Sequence, residues 1–96
     1  RNMTIKFSKV LQLDVIDQVR YIYKDKPRAA LKFRKDLIKN IKKDLKQPFH
    51  FKESIYSSGD ENIRDYVFKG YVSVYKIDVK QKSILVFGFI KYRNSF

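Results

Sequence analysis

The sequence has no cysteine and a single histidine, His50, among its 96 residues. The missing cysteines exclude a disulfide framework and thiolate metal sites, and one histidine cannot build a histidine metal cluster. The chain also lacks a glycine-rich phosphate loop, and no apolar run approaches the roughly 20 residues that a transmembrane helix needs. The N-terminal segment has no apolar stretch of the kind found in secretory signal peptides. These absences predict a cytoplasmic protein with no metal, no cofactor and no membrane partner.

Acidic residues are also scarce. Ten Asp and Glu stand against 22 Lys and Arg, which gives a formal net charge of +12. A charge this far from zero favours an acidic partner, such as nucleic acid or an acidic protein segment. Apolar residues make up 44% of the chain, enough for one hydrophobic core. One domain is predicted at residues 3–96, and Arg1 and Asn2 are interpreted as a cloning remnant or as upstream sequence.

The first half of the chain predicts a short strand and two amphipathic helices. Thr4–Ser8 alternates polar and apolar residues as a half-buried strand does, and Ser8 can cap the helix that follows, to about Lys24. Pro27 suits the first turn of a second helix, to about Lys46. Apolar residues recur at steps of three and four along both helices, including Leu11, Val15, Val19, Ile22 and Tyr23 in the first and Ala30, Leu31, Leu37, Ile38, Ile41 and Leu45 in the second. Two such helices form a hairpin that must bury its joint apolar face.

The second half predicts three strands. Ile63–Phe68 and Tyr71–Asp78 are joined at Lys69-Gly70, a tight hairpin signal because glycine readily takes a positive φ. Ile84–Ile90 is nearly all apolar, which indicates a central strand covered on both faces. Gly88 within this strand indicates a bulge or a close backbone approach.

Residues 47–62 are predicted to form a loop with a possible short strand near Phe49–Phe51. The resulting order is β-α-α-β-β-β. It predicts an α+β domain in which the helical hairpin packs on a small antiparallel or mixed sheet.

Taken together, the motifs resemble the RelE/ParE superfamily of type II toxin–antitoxin toxins. The matching residues are, in chain order, Asp14, Tyr21 and Ile22; Pro27, Ala29, Ala30 and Phe33; Leu37, Ile41 and Pro48; Ile63 and Arg64; Gly70 to Asp78; and a last strand that ends in Lys91, Arg93 and Asn94. The match covers residues 4 to 94. The helical hairpin and the Gly-Tyr-Val-x-Val-Tyr-x-Ile strand are more similar to the ParE branch than to the RelE branch.

The resemblance implies a bacterial, cytoplasmic toxin that arrests growth, belongs to a plasmid-stabilisation type of system and forms a hetero-oligomer with an acidic antitoxin. A ParE-like toxin inhibits DNA gyrase and has no known nuclease residues. A RelE-like toxin is an enzyme that cuts messenger RNA on the ribosome, and Arg64, Tyr92 and Arg93 would then be the catalytic candidates. The usual catalytic histidine of that branch is absent here. A third alternative is a non-toxic, basic nucleic-acid-binding module.

Two sets of residues are expected to bind partners. Basic and aromatic residues of the sheet are assigned to the target, namely Arg64, Lys69, Lys91, Tyr92 and Arg93. Arg64, Lys91 and Arg93 would share one sheet edge if their strands are neighbours. The competing interpretation of Arg64 is an ion pair with Asp65, Asp78 or Glu61. Apolar residues of the hairpin are assigned to the antitoxin, namely Leu11, Val15, Leu37 and Ile41. Tyr66, Tyr71 and Tyr75 are interpreted as packing residues, and Lys39, Lys42, Lys43 and Lys46 as a solvated helix face.

Overall fold

The computed structural model describes residues 3–57 and 59–91. Its elements are, in chain order, β1 (Thr4–Phe7), α1 (Lys9–Tyr23), α2 (Pro27–Asp44), a 3-10 turn (Pro48–His50), β2 (Ile63–Phe68), β3 (Tyr71–Asp78) and β4 (Ser83–Lys91). The predicted order β-α-α-β-β-β is therefore confirmed.

The 3-10 turn replaces the short strand predicted near Phe49–Phe51, and that prediction was wrong. Pro48 occupies the first position of the turn, and its ring holds φ near the helical value. The backbone N–H of His50 donates to the carbonyl oxygen of Gln47 at 3.1 Å, which closes the turn.

The four strands form one mixed sheet in the order β1-β4-β3-β2. β1 pairs in parallel with β4, whereas the other two pairings are antiparallel. β4 is an interior strand, as predicted, but it is not covered on both faces. Leu85 in its first half remains 41% exposed, because the helices cover only one face of the sheet. The most completely buried strand is instead β3, in which every residue from Tyr71 to Tyr75 is buried.

Both helices begin where the sequence predicted. The Oγ atom of Ser8 accepts a hydrogen bond from the backbone N–H of Leu11 at 3.0 Å, which satisfies one free donor of the first turn of α1. The second helix begins at Pro27.

The β2–β3 hairpin and the irregularity in β4 also follow the sequence. Lys69 and Gly70 both have positive φ, 49° and 82°, which matches a two-residue turn of type I′. In β4, Val74 pairs with Gly88 but Tyr75 pairs with Val86, so one residue of β4 is left over as a bulge. A Cβ atom on Gly88 would lie 3.2 Å from the Cβ of Val74. Both expectations for Gly88, a bulge and a close approach, are confirmed.

The hydrophobic core lies between the helical hairpin and one face of the sheet. It is built from Leu11, Val15, Phe33, Leu37, Ile41, Leu45, Tyr66, Tyr71, Tyr75, Ile77, Ile84 and Val86. The opposite sheet face carries Lys6, Leu85 and Lys76, which alternate along their strands with core residues. We call it the open face.

Candidate functional surfaces

The guanidinium of Arg64 fastens the loop that precedes β2. Its Nη1 donates to the carbonyl oxygen of Phe51 at 2.7 Å and to that of Phe49 at 3.4 Å. Its Nε donates to the carbonyl oxygen of Glu61 at 2.9 Å, and its Cζ lies 5.2 Å from the centre of the Phe49 ring. The partners of Arg64 are thus backbone carbonyls and a ring, not the carboxylates that the ion-pair interpretation named. Arg64 joins both ends of the loop to the sheet.

The same loop is held along the outer edge of β2. The backbone N–H of Ser54 donates to the carbonyl oxygen of Ile63 at 2.8 Å, and that of Asp65 donates to Lys52 at 3.2 Å. The buried carboxylate of Asp65 accepts from the backbone N–H of Ile55 at 3.2 Å. These contacts cover the backbone of an edge strand, which would otherwise invite pairing with another chain.

Arg64 and Lys91 were expected to share a sheet edge if their strands are neighbours, and this condition is not met. β3 lies between β2 and β4 and is antiparallel to both, so β2 and β4 run in the same direction. Arg64, near the start of β2, pairs with Tyr75, whereas Lys91, at the end of β4, pairs with Tyr71. The two cations therefore lie toward opposite ends of the sheet.

Lys69 lies at the same end of the sheet as Lys91. It is exposed in the β2–β3 turn, and its Nζ is 5.6 Å from the centre of the Phe68 ring. Tyr92 and Arg93, the other two residues assigned to the target, lie outside the described residues.

The three sheet tyrosines are packing residues, as predicted. The hydroxyl of Tyr75 donates to the carbonyl oxygen of Pro48, and that of Tyr66 donates to the carboxylate of Asp44. The Tyr71 ring stacks on Phe89 with centroids 5.1 Å apart. Burial raises the pKa of all three tyrosines above its ordinary value, so none of them is suited to proton transfer near neutral pH.

The four residues assigned to the antitoxin belong to the core, and that assignment needs correction. Leu37 and Ile41 are 0% and 1% exposed, and Leu11 and Val15 are 2% and 4% exposed. They are core positions of the hairpin and offer little surface to a partner, although Leu11 and Val15 also line the floor of a groove between the helices. The lysines at positions 39, 42, 43 and 46 are exposed, which confirms the predicted solvated face.

A groove nevertheless runs between α1 and α2, with a volume of about 270 Å³. Its lining is apolar apart from three polar side chains, and it comprises Phe7, Leu11, Gln12, Val15, Ile16, Arg34, Ile38 and Lys42. We call it the hairpin groove. The cations of Arg34 and Lys42, both on α2, border its apolar floor.

An exposed apolar stripe on α1 adjoins this groove. Val10, Leu13 and Ile16 follow one another at steps of three and are 62%, 51% and 38% exposed. Helix residues at this spacing lie on one side of the helix. The assignment of antitoxin-binding residues from the sequence missed these three positions. The sequence did indicate them, since α1 has more apolar positions than one core-facing stripe needs.

Two features are absent from residues 3–57 and 59–91. In that part of the chain, no three His, Cys, Asp or Glu side chains are grouped to hold a metal ion. Neither described helix is long and apolar enough to cross a membrane.

The arrangement of a helical hairpin on a four-stranded mixed sheet is also found in a solved structure. A chain from a solved structure, titled a chromosomal ParDE toxin–antitoxin system from P. aeruginosa, superposes with a TM-score of 0.75. The two sequences are 16% identical, and the match covers 95% of this chain and 97% of the other. At this identity the likeness establishes the fold.

The family follows from the sequence match. The sequence model of one protein family, described as the ParE toxin of type II toxin–antitoxin system, parDE, matches residues 5–95. The chain therefore belongs to the ParE toxin family, and its resemblance to the ParE branch of the RelE/ParE superfamily is confirmed. Comparison with curated proteins gives no match.

Proposed function

We propose that this toxin acts on DNA gyrase, that it does so in the cytoplasm, and that an acidic antitoxin silences it by occupying the hairpin groove. Family membership supports the toxin–antitoxin part of this proposal. The antitoxin site is inferred from one observation, which is that cations border the apolar floor of the groove. An amphipathic helix with acidic flanks is the partner that fits such a surface.

The stripe of Val10, Leu13 and Ile16 extends the apolar surface beyond the groove itself. Exposed apolar residues that adjoin one another mark protein–protein contacts more often than isolated ones do. We therefore place the apolar contacts of the antitoxin on these residues and on Ile38, in place of the core residues. The acidic flanks would face Arg34 and Lys42.

Gyrase inhibition is favoured over cleavage of messenger RNA because the chain belongs to the ParE toxin family and because several candidate catalytic side chains are engaged within the fold. Arg64 is engaged by three carbonyl groups. His50 is exposed and rests edge-on against the ring of Phe51, 5.8 Å away. Tyr66 and Tyr75 are buried with raised pKa values. A nuclease needs a group that can take the proton of the attacking hydroxyl near neutral pH.

We further propose that the target contacts the end of the sheet that carries Lys69 and Lys91, together with Tyr92 and Arg93, which follow Lys91 in the sequence. Lys69 and Lys91 are both exposed. Arg64 is not part of the proposed target surface, because it lies toward the other end of the sheet and its guanidinium is hydrogen-bonded to the loop.

The purified chain should inhibit supercoiling by gyrase and leave messenger RNA intact on translating ribosomes. Both assays are run in parallel on one preparation, with and without the product of the neighbouring gene. Lys69→Glu with Lys91→Glu should weaken gyrase inhibition without lowering the melting temperature. Cleavage of messenger RNA at defined positions, with supercoiling unaffected, would establish the nuclease alternative instead.

A further inference from the structure

A second surface lies on the open face of the sheet, away from the hairpin groove. It is a cleft of about 620 Å³ lined by Lys6, Asn62, Lys76, Ile77, Asp78, Val79, Lys80, Ser83 and Leu85. We call it the open-face cleft. Its three lysines come from β1, from β3 and from the turn between β3 and β4, so the tertiary structure brings Lys6 to the other two.

The strand register sets the spacing of two of these lysines. Lys6 pairs with Leu85, and Leu85 pairs in turn with Lys76, so the three form one row across the sheet. Neighbouring strands lie about 4.8 Å apart, which puts the Cα atoms of the two lysines roughly 10 Å apart. Leu85, exposed between them, gives the cleft an apolar floor.

The cations of the cleft are largely free of acidic partners. Within the described part of the chain, the only carboxylate within 4.0 Å of any of the three is that of Asp60, at 4.0 Å from the Nζ of Lys76. Asp78 is the one acidic residue of the lining, and its carboxylate accepts from the backbone N–H of Gln81 at 3.1 Å. Asn62 and Ser83 add neutral hydrogen-bonding groups. The three lysines thus stand against two carboxylates, that of Asp78 in the lining and that of Asp60 beside Lys76.

We propose that the open-face cleft binds the phosphodiester backbone of nucleic acid. Phosphate contacts are made chiefly by Lys and Arg side chains together with neutral polar donors. Five of the nine lining residues are of these kinds, namely Lys6, Lys76, Lys80, Asn62 and Ser83. An acidic protein segment is the less suitable occupant, because protein partners are anchored by large apolar or aromatic side chains in pockets. The lining of the hairpin groove includes the ring of Phe7, whereas the lining of the cleft includes no aromatic residue and exposes two large apolar side chains, Leu85 and Val79. The proposal does not depend on gyrase being the target.

The test measures how binding depends on salt. The full chain is titrated into a fluorescein-labelled DNA duplex, and separately into single-stranded RNA of equal length, between about 50 and 200 mM salt. Each phosphate contact adds about −0.9 to the slope of log K against log salt for duplex DNA and about −0.7 for a single strand. Lys6→Ala and Lys80→Ala should each make the slope shallower by one such increment and weaken binding roughly five- to tenfold near 0.1 M salt.

Lys39→Ala is the matched control, because Lys39 is exposed on α2, outside the cleft. It should leave the slope unchanged. Leu85→Glu, which places a carboxylate between two lysines, should weaken binding more than either alanine variant. All variants should melt at the temperature of the parent chain, which shows that their folds are intact.

Three results would overturn the proposal. Equal losses for Lys39→Ala and Lys6→Ala would mean that nucleic acid is held by diffuse charge. Polyglutamate that displaces the duplex as well as unlabelled DNA of equal charge would identify an acidic protein segment as the occupant. No measurable binding of either nucleic acid at about 50 mM salt would exclude the site. A slope change seen with only one of the two nucleic acids identifies which of them the cleft prefers.

Discussion

Replacing Arg64 by alanine should destabilise the fold, because the side chain joins β2 to the preceding loop. The bond to the carbonyl of Phe51, at 2.7 Å and partly buried, is the strongest of its contacts. A hydrogen bond to a charged group contributes about 1.5–3 kcal/mol, and an exposed cation–π contact such as that with Phe49 about 0.5–1 kcal/mol. The contact with Glu61 is exposed and contributes less. We therefore expect Arg64→Ala to lower the free energy of unfolding by about 2–3 kcal/mol.

The assay is thermal unfolding followed by circular dichroism. For a domain of this size, 1 kcal/mol corresponds to about 4–8 °C, so the melting temperature should fall by roughly 8–24 °C. Arg64→Lys should recover less than half of the loss, because an ammonium lacks the fork that reaches several carbonyls at once. Trypsin should also cut the variant faster at Lys52, which lies in the loop that Arg64 fastens. Arg28→Ala is the control, since Arg28 is exposed at the start of α2 and its truncation should cost within about 0.5 kcal/mol.

A different result for the Arg64→Ala variant would refute the structural role. An Arg64→Ala variant that melts within about 2 °C of the parent and yet no longer arrests growth would show that Arg64 contacts the target, as its sequence position first indicated. A variant that loses toxicity only in proportion to its loss of folded protein would confirm the structural role.

The remaining predictions concern pH and the antitoxin surface. Because burial raises the pKa of Tyr66 and Tyr75, the unfolded chain loses these protons first as the pH rises past the ordinary value of 10.0. The free energy of unfolding should then fall by up to about 1.4 kcal/mol per pH unit for each tyrosine, and Tyr75→Phe should make this decline shallower in melts recorded above that pH. An equally steep decline in the variant would contradict this account. Leu13→Lys should weaken antitoxin binding about tenfold or more with an unchanged melting temperature, whereas Leu37→Ala should cost about 2–5 kcal/mol of stability because it opens a cavity in the core. Calorimetric titration with the antitoxin, together with melting curves, separates the two effects, and wild-type affinity in Leu13→Lys would exclude the exposed stripe of α1 as an antitoxin contact.

The sequence by itself determined the elements and their local chemistry. Ser8 before an apolar stripe marked the start of α1, Lys69-Gly70 marked the hairpin turn, and Gly88 marked the bulge. These features depend on backbone dihedrals and on hydrogen bonds to near neighbours, which a few consecutive residues specify. The order of motifs along the chain was also enough to indicate the family, since it preserves the spacing of the elements.

Only the tertiary structure decided which residues meet. The sequence pattern could not show that β3 lies between β2 and β4 and makes them run in the same direction, which places Arg64 and Lys91 toward opposite ends of the sheet. The apolar spacing of α1 did not distinguish Leu11, which is buried, from Leu13, which is exposed, because both stripes follow helical periodicity. The row of Lys6, Leu85 and Lys76 likewise joins residues up to 79 positions apart through strand register. Strand pairing and helix docking are contacts between distant parts of the chain, and they depend on the packing of the whole domain rather than on any local run of residues.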